Sequence, residues 1–452
     1  MFKQRIDVRT GLHILAGTLV LMWPAFVNGY PLIYSDTSTF IHSAFELQPP
    51  MDRPITYGLF IRLTSLNGLT MWTVIFFQTL ILSCLLYGFT KKSMGLDQQN
   101  PGLRFAFIIL VSSLAGAAWT TSFLLPDIFT PIMVLAALLL LIYPEKEKRT
   151  IGLWIVFGLS AAMHSSHIPF GIAFLGIILI ARFIFPGKLK SFIRIRTLLI
   201  LLVLNLVAMG IMSSTLSKSK HVFQMGAYIE QGIIESFLKE ECEAHDFGLC
   251  AYKDSLPGQA WEFIWEESSP LYQLGGWKAT KSEFNEIIRT TWTRPRYLIL
   301  HLEASFRETF KQMMSFKSVY TYGVSPNLDQ LSARVEEYIP ADINGFQSSR
   351  QNNGPLTAFA WLNPVQLSLV LLSLVLIPGF LLSKFSPLPD QKLIWAGILL
   401  GLGILIHAWV CGTFANPVDR LGNKMIWLFP CFAMILLLKA DSKFKDSCLK
   451  SH

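Results

Sequence analysis

Ten apolar runs dominate the chain, at residues 11–29, 70–89, 103–124, 128–143, 151–164, 168–185, 197–214, 364–382, 393–413 and 425–438. About 20 apolar residues in a helix cross the hydrocarbon of a bilayer. Ten such runs cannot share one soluble core, because a soluble domain carries about 25% charged residues to cover its surface. Here 52% of the residues are hydrophobic and only 15% are charged, with a mean hydropathy of +0.45. The expected fold is an all-α polytopic membrane protein with about ten transmembrane helices. Several runs fall short of 20 residues, which leaves their ends and tilts to packing.

Two runs need comment. The stretch 151–185 is interrupted by His164-Ser165-Ser166-His167-Ile168-Pro169. Pro169 suits the first turn of a new helix, so a tight hairpin with its tip at His164–His167 is expected. The first run, Gly11 to Asn28, follows MFKQRIDVR in the manner of a signal peptide. It leads into GYPLIY with no small-residue cleavage site and is expected to stay as the first helix.

Lys and Arg outnumber Asp and Glu by 38 to 30, a net charge of +8. A basic balance can serve nucleic acid, but position excludes that partner here. The bases cluster between apolar runs: Lys3, Arg5 and Arg9; Lys91 and Lys92; Lys146, Lys148 and Arg149; Lys188, Lys190, Arg194 and Arg196; Lys384 and Lys392; Lys439, Lys443, Lys445 and Lys450. That is the positive-inside pattern. Ten spans then put both termini and every basic connection in the cytoplasm, with membrane lipids as the surrounding partner.

The opposite face carries the unusual loops. The first, 30–54, reads YPLIYSDTSTFIHSAFELQPPMDRP and holds Asp36, His42, Glu46, Asp52 and Arg53. An amphipathic piece, Ile55 to Ser65, follows and suits the membrane surface, completing a long first outer loop over 30–69. The turn Leu124-Leu125-Pro126-Asp127, the His164–His167 tip and the turn Ala415 to Lys424 lie on the same side. Three regions result: an N-terminal membrane domain of about seven helices (1–214), a mainly helical outer domain between helices seven and eight (215–362), and a C-terminal membrane domain of about three helices (363–452) ending in a short cytoplasmic tail. Within the outer domain, His221–Glu241 and Lys281–Lys317 are helix-like, and Tyr297–Phe316, with apolar residues among charges, suits a position along the membrane surface. Cys242 and Cys250 alone among the six cysteines fall there. Their spacing lacks a zinc-type partner pair, and an oxidising compartment favours a disulfide.

Ionisable groups at membrane depth are costly and usually face a cavity. Four sets share the outer side: Asp36; Asp52 with Arg53; Asp127 with His164 and His167; and Asp419 with Arg420. Singly each has a bland reading: an acid past a helix end as a solvated cap, Asp52-Arg53 as a local ion pair, the histidine tip as a structural turn. Together they fit a chemistry. A carboxylate takes the proton of an acceptor hydroxyl or amine, and Arg or His holds a phosphate by charge-assisted hydrogen bonds.

On these residues the chain resembles the GT-C superfamily of membrane glycosyltransferases, such as dolichyl-phosphate-mannose protein mannosyltransferases and bacterial aminoarabinose transferases. The resemblance rests on Tyr34-Ser35-Asp36-Thr37 in the first outer loop, Arg53-Pro54 leading into the surface helix, Leu125-Pro126-Asp127, and Arg420 ahead of Trp427-Leu428-Phe429-Pro430. The 215–362 segment, with Ser269-Pro270-Leu271-Tyr272 and Gly275-Gly276-Trp277, looks like that of uncharacterised bacterial inner-membrane proteins.

The resemblance implies a bacterial inner-membrane enzyme that moves a sugar from a polyprenyl-phosphate carrier to a periplasmic glycan, lipid or protein acceptor. It implies Asp36 and Asp127 as catalytic carboxylates, and Arg53, Arg420, His164 and His167 as ligands of the carrier phosphate or the substrate cavity. Thr37, not a second acid, follows Asp36, so neither metal nor cofactor is expected. Other functions compete. A transporter or flippase of a lipid-linked or anionic solute would place charges at mid-membrane in repeated halves. A non-catalytic assembly protein would use the helices as an anchor. A membrane acyltransferase would use His164 or His167 as base.

Overall fold

The computed structural model describes residues 7–94, 100–143, 147–185, 193–319, 328–354, 356–382 and 390–450. Of the basic clusters, Lys3, Arg5, Lys146, Lys188, Lys190 and Lys384 lie outside these residues. So do the side chains of Lys148, Arg149, Lys443, Lys445, Cys448 and Lys450. Among the described residues the chain is helical, with a lone isolated bridge between Leu32 and Phe123. Six helices are long and apolar enough to cross a membrane: Trp72–Met94, His167–Ile184, Ile195–Glu230, Leu356–Leu382, Gln391–Phe414 and Asp419–Asp441. Shorter apolar helices cover Val8–Leu21, Pro101–Leu114, Pro126–Ile142 and Thr150–Met163. The protein is a helical membrane protein.

Local chemistry sets where the apolar runs break. The run 103–124 divides at Gly116, whose φ of +119° is open to glycine and strained for other residues. A Cβ there would collide with the Asn423 side chain. The short helix Ala117–Ser122 therefore leaves the axis of Pro101–Leu114 and carries the chain to the Leu-Pro-Asp turn. The run 11–29 breaks before Trp23-Pro24, and the short helix Trp23–Asn28 closes on Gly29 at φ +83°.

The run 197–214 does the opposite. Its helix continues as Ile195–Glu230 for 36 residues, because Val222, Met225 and Ile229 keep a buried face at helical spacing. At 1.5 Å per residue it is about 54 Å long, well beyond the roughly 30 Å of hydrocarbon.

Helix Phe129–Ile142 is buried at all 14 positions, as a helix apolar all round must be. Trp72–Met94, Glu147–Met163, Ile195–Glu230 and Gln391–Phe414 pack around it. The peripheral helices turn apolar side chains outward instead, among them Leu199, Val203, Leu206, Leu371 and Val375. Lipid is the solvent that makes such a surface favourable.

The segment 215–362 contributes to two cores. Residues from Val222 to Ala304 form one of their own around Tyr228, Phe237, Phe263, Phe284 and Tyr297. The Cys242–Cys250 disulfide lies at its edge, with Cα atoms 5.7 Å apart. By contrast, Val319, Leu331, Val335, Ile339, Phe346, Leu356 and Phe359 join the membrane core. Helix Leu328–Tyr338 packs on Thr37–Glu46 in the first loop. Asp342 accepts hydrogen bonds from the Met71 amide at 2.7 Å and the Tyr30 hydroxyl at 3.2 Å. Gln351 accepts from the Ile33 amide and donates to its carbonyl. The expected helix Lys281–Lys317 is two helices, Lys281–Thr293 and Pro295–Met314. Pro295 forces Arg294 into the extended region and breaks the run.

Candidate functional site

Asp36 begins helix Thr37–Glu46 but makes no capping hydrogen bond. Its carboxylate faces two guanidinium groups instead. Arg53 Nη1 lies 3.0 Å from Oδ1, and Arg420 Nη1 donates to Oδ2 at 3.1 Å. The solvated-cap reading of Asp36 therefore fails. Arg53 is steadied by Asp52, its neighbour in sequence, through Nε at 2.9 Å. Its guanidinium also sits over the Phe40 ring. Arg420 stacks on Tyr34, 4.2 Å from the ring centre, and turns Nε toward Asp127 at 3.6 Å. Lys424 completes the set, with Nζ 3.5 Å from Asp127 Oδ1 and no exposed surface. Three carboxylates and three cations thus form one chain of ion pairs.

Backbone and polar contacts hold these residues in place. Leu32 and Leu124 exchange hydrogen bonds with the opposing strand-like segment, through Leu32 N–H to Ser122 O and Leu124 N–H to Leu32 O. This zips the first loop to the Leu-Pro-Asp turn. The Thr37 hydroxyl bridges the Tyr34 amide and the Leu124 carbonyl. Gln78 is buried and clamps the same turn, donating to the carbonyls of Thr121 and Phe123 at 2.7 and 2.8 Å. Arg420 and Lys424 lie four residues apart on helix Asp419–Ile426, hence on one face. Asn423, on the same helix, bonds Thr120 and Gln366.

Burial alone would push the Asp36 carboxyl up. Arg53 and Arg420 more than offset it and hold the group well below the usual carboxylate range. For Arg53, burial opposes the charge, and the Asp36 and Asp52 carboxylates drive its pKa above the ordinary value. At pH 7 both are ionised.

The two histidines part company. His167 has both ring nitrogens engaged, Nδ1 on the Ser160 carbonyl at 2.6 Å and Nε2 on the Thr130 hydroxyl at 2.8 Å. A carbonyl only accepts, so Nδ1 carries a proton, and the ring braces two helices. His164 uses Nδ1 to accept from the Ser166 amide and stays within electrostatic reach of Asp127. Burial and then the Lys424 charge press its pKa well below the ordinary value. His164 thus offers a hydrogen-bonding ring close to Asp127.

Asp36, Asp127, Arg53 and Arg420 come together in one ion-pair network, and Asp419 points away to accept from the Lys317 amide. Lys424, Tyr34 and Gln78 were missed. For Lys424 the available signal was its four-residue spacing from Arg420.

A cavity of about 10 Å³ lies against Thr120, Phe123, Asp127, Arg420 and Asn423, room for one water at most. Among the described residues no three His, Cys, Asp or Glu side chains converge as a metal cradle. No protein-family model, curated protein or solved structure matches the chain.

Proposed function

We propose that the protein is a GT-C-like glycosyltransferase of the bacterial inner membrane, with ten spans and both termini cytoplasmic. In this reading it moves a sugar from a polyprenyl-phosphate carrier to a periplasmic glycan, lipid or protein. One observation carries it: two acids and two arginines from three distant parts of the chain meet in a single ion-pair network at one end of the helices. The ten apolar helices, six long and four shorter, supply the frame.

The chemistry runs as an exchange of partners. The carrier's phosphodiester enters between the guanidinium groups and takes Arg53 and Arg420 as hydrogen-bond donors. Asp36, relieved of them, regains proton affinity. It then accepts the proton of the acceptor hydroxyl while the acceptor oxygen bonds the anomeric carbon. The bond from that carbon to the phosphate oxygen breaks, and the carrier leaves as a phosphate monoester stabilised by the arginines. Asp127, held by Lys424, keeps Arg420 aimed at the phosphate. Because the resting cavity admits about one water, the first loop and helix Asp419–Ile426 must part for the substrates to enter.

The test is sugar transfer from polyprenyl-phosphate hexoses and pentoses in membranes holding equal amounts of protein. Asp36→Asn should slow transfer by about 10²–10⁴-fold, the usual worth of a general base. Wild-type rates from that variant would remove Asp36 from the chemistry. The closed cavity supports a second reading, in which the network is a structural clamp in a non-catalytic assembly protein. On that reading Asp36→Asn lowers thermal stability, and the wild type transfers no sugar from any donor.

A further inference from the structure

Helix Pro295–Met314 is amphipathic in an inverted sense. Tyr297, His301, Ala304, Glu308 and Gln312 recur at helical spacing and are buried against the protein. The opposite face carries Ile299, Leu302, Phe306, Phe310 and Met313, with Phe306 82% exposed. In water such an arrangement hides the polar side chains and displays the apolar ones. Exposed apolar stripes of this kind mark a surface that meets another apolar phase.

Its neighbours say which phase. The helix crosses Gln391–Phe414, a candidate membrane span, so closely that a Cβ on Gly412 would lie 2.5 Å from the Glu308 carbonyl oxygen. Ser305 accepts from the indole N–H of Trp409 at 2.9 Å and contacts the Thr413 hydroxyl at 2.8 Å. Trp409 and Leu405 on that span are themselves exposed, so the stripe continues a lipid-facing surface sideways from the end of the span. Tryptophan is enriched at this level of a bilayer. Arg296, Arg307 and Lys311 of the helix already have carboxylate partners within the protein. Arg307 and Lys311 pair with Glu308, and Arg296 pairs with Glu240.

We infer that Pro295–Met314 lies in the headgroup–acyl boundary of the bilayer, with Ile299, Leu302, Phe306, Phe310 and Met313 immersed in lipid. Apolar insertion holds it there, because its cations already pair with carboxylates of the protein. The helix also grips the chain ahead of the candidate site. Gln312 exchanges two hydrogen bonds of 3.1 Å with the Val418 backbone, one residue before helix Asp419–Ile426. The inference stands independently of sugar transfer.

Depth-dependent quenching tests it on the full-length protein in lipid vesicles. Phe306→Cys, Leu302→Cys and Glu303→Cys are each labelled with a nitrobenzoxadiazole probe in a Cys84→Ser, Cys448→Ser background. The probes at 302 and 306 should emit at shorter wavelength, be quenched by lipids spin-labelled near the headgroup, and resist aqueous iodide. The probe at 303, on the charged flank, should behave in the opposite way. Adding anionic phosphatidylglycerol should leave these ratios unchanged. Three results would overturn the inference: iodide quenching at 302 and 306 equal to that at 303, protection of both positions from both quenchers, which would place protein over the stripe, or quenching that depends on anionic lipid.

Discussion

Burying the charge of a lysine is costly unless a carboxylate lies beside it. Lys424 has Asp127 as its carboxylate partner, with Nζ 3.5 Å from Oδ1. Breaking a buried pair from one side costs about 3–5 kcal/mol, whereas replacing both partners by neutral groups is often close to neutral. Lys424→Met should therefore lower the unfolding free energy in detergent by about that amount, and Lys424→Met with Asp127→Asn should recover most of it. Equal losses that simply add in the double variant would mean that the two groups are not coupled. Sequence reading found the acids because Asp36 and Asp127 stand next to apolar runs where carboxylates are rare. It passed over Lys424 because a lysine at the start of an apolar run is also what a membrane flank looks like. It also set His164 and His167 in one role. Their separation depends on Ser160 and Thr130, partners that tertiary packing alone supplies.

At the scale of elements, the apolar runs marked the six long apolar helices and the four shorter ones, but not the breaks before Trp23-Pro24 and at Gly116. The runs were insufficient for the segment after residue 316, where the anchoring residues are polar and look like ordinary surface. Asp342 and Gln351 tie that segment to the first loop rather than to the neighbouring core built on Val222 to Ala304. Asp342→Ala strands the Met71 amide and the Tyr30 hydroxyl, each buried and each losing its acceptor. A loss of about 1–3 kcal/mol is expected for each such group. Limited proteolysis should then cut within 328–354 faster than in the wild type, while the 222–304 core keeps its resistance. Unchanged cleavage would show that apolar packing by Leu331, Val335 and Phe346 suffices to seat the segment.

For the whole molecule, charge placement and helix count make one joint prediction. With ten spans and the bases inside, a green fluorescent protein fused after residue 450 should fluoresce and an alkaline phosphatase there should stay inactive. Fusions within the exposed turn at Gly258 should give the reverse pattern. Phosphatase activity at both sites would break the even span count on which the sidedness of Asp36 depends. The ion-pair network, the disulfide and the inverted helix all lie on the Gly258 side in this arrangement, so a single orientation error would displace them together.

Helix Ile195–Glu230 has a mechanical consequence. One half stands in lipid and the other forms a wall of the extramembrane core through Val222, Met225 and Tyr228. No break separates them, so the helix is a rigid lever with the bilayer as its fulcrum. Spans tilt to match bilayer thickness, and a tilt of about 10° about the lipid-embedded end of a shaft of about 54 Å would displace the far end by about 9 Å. The core built on Val222 to Ala304 packs on that end, so a change in bilayer thickness would load its contacts with Gln391–Phe414.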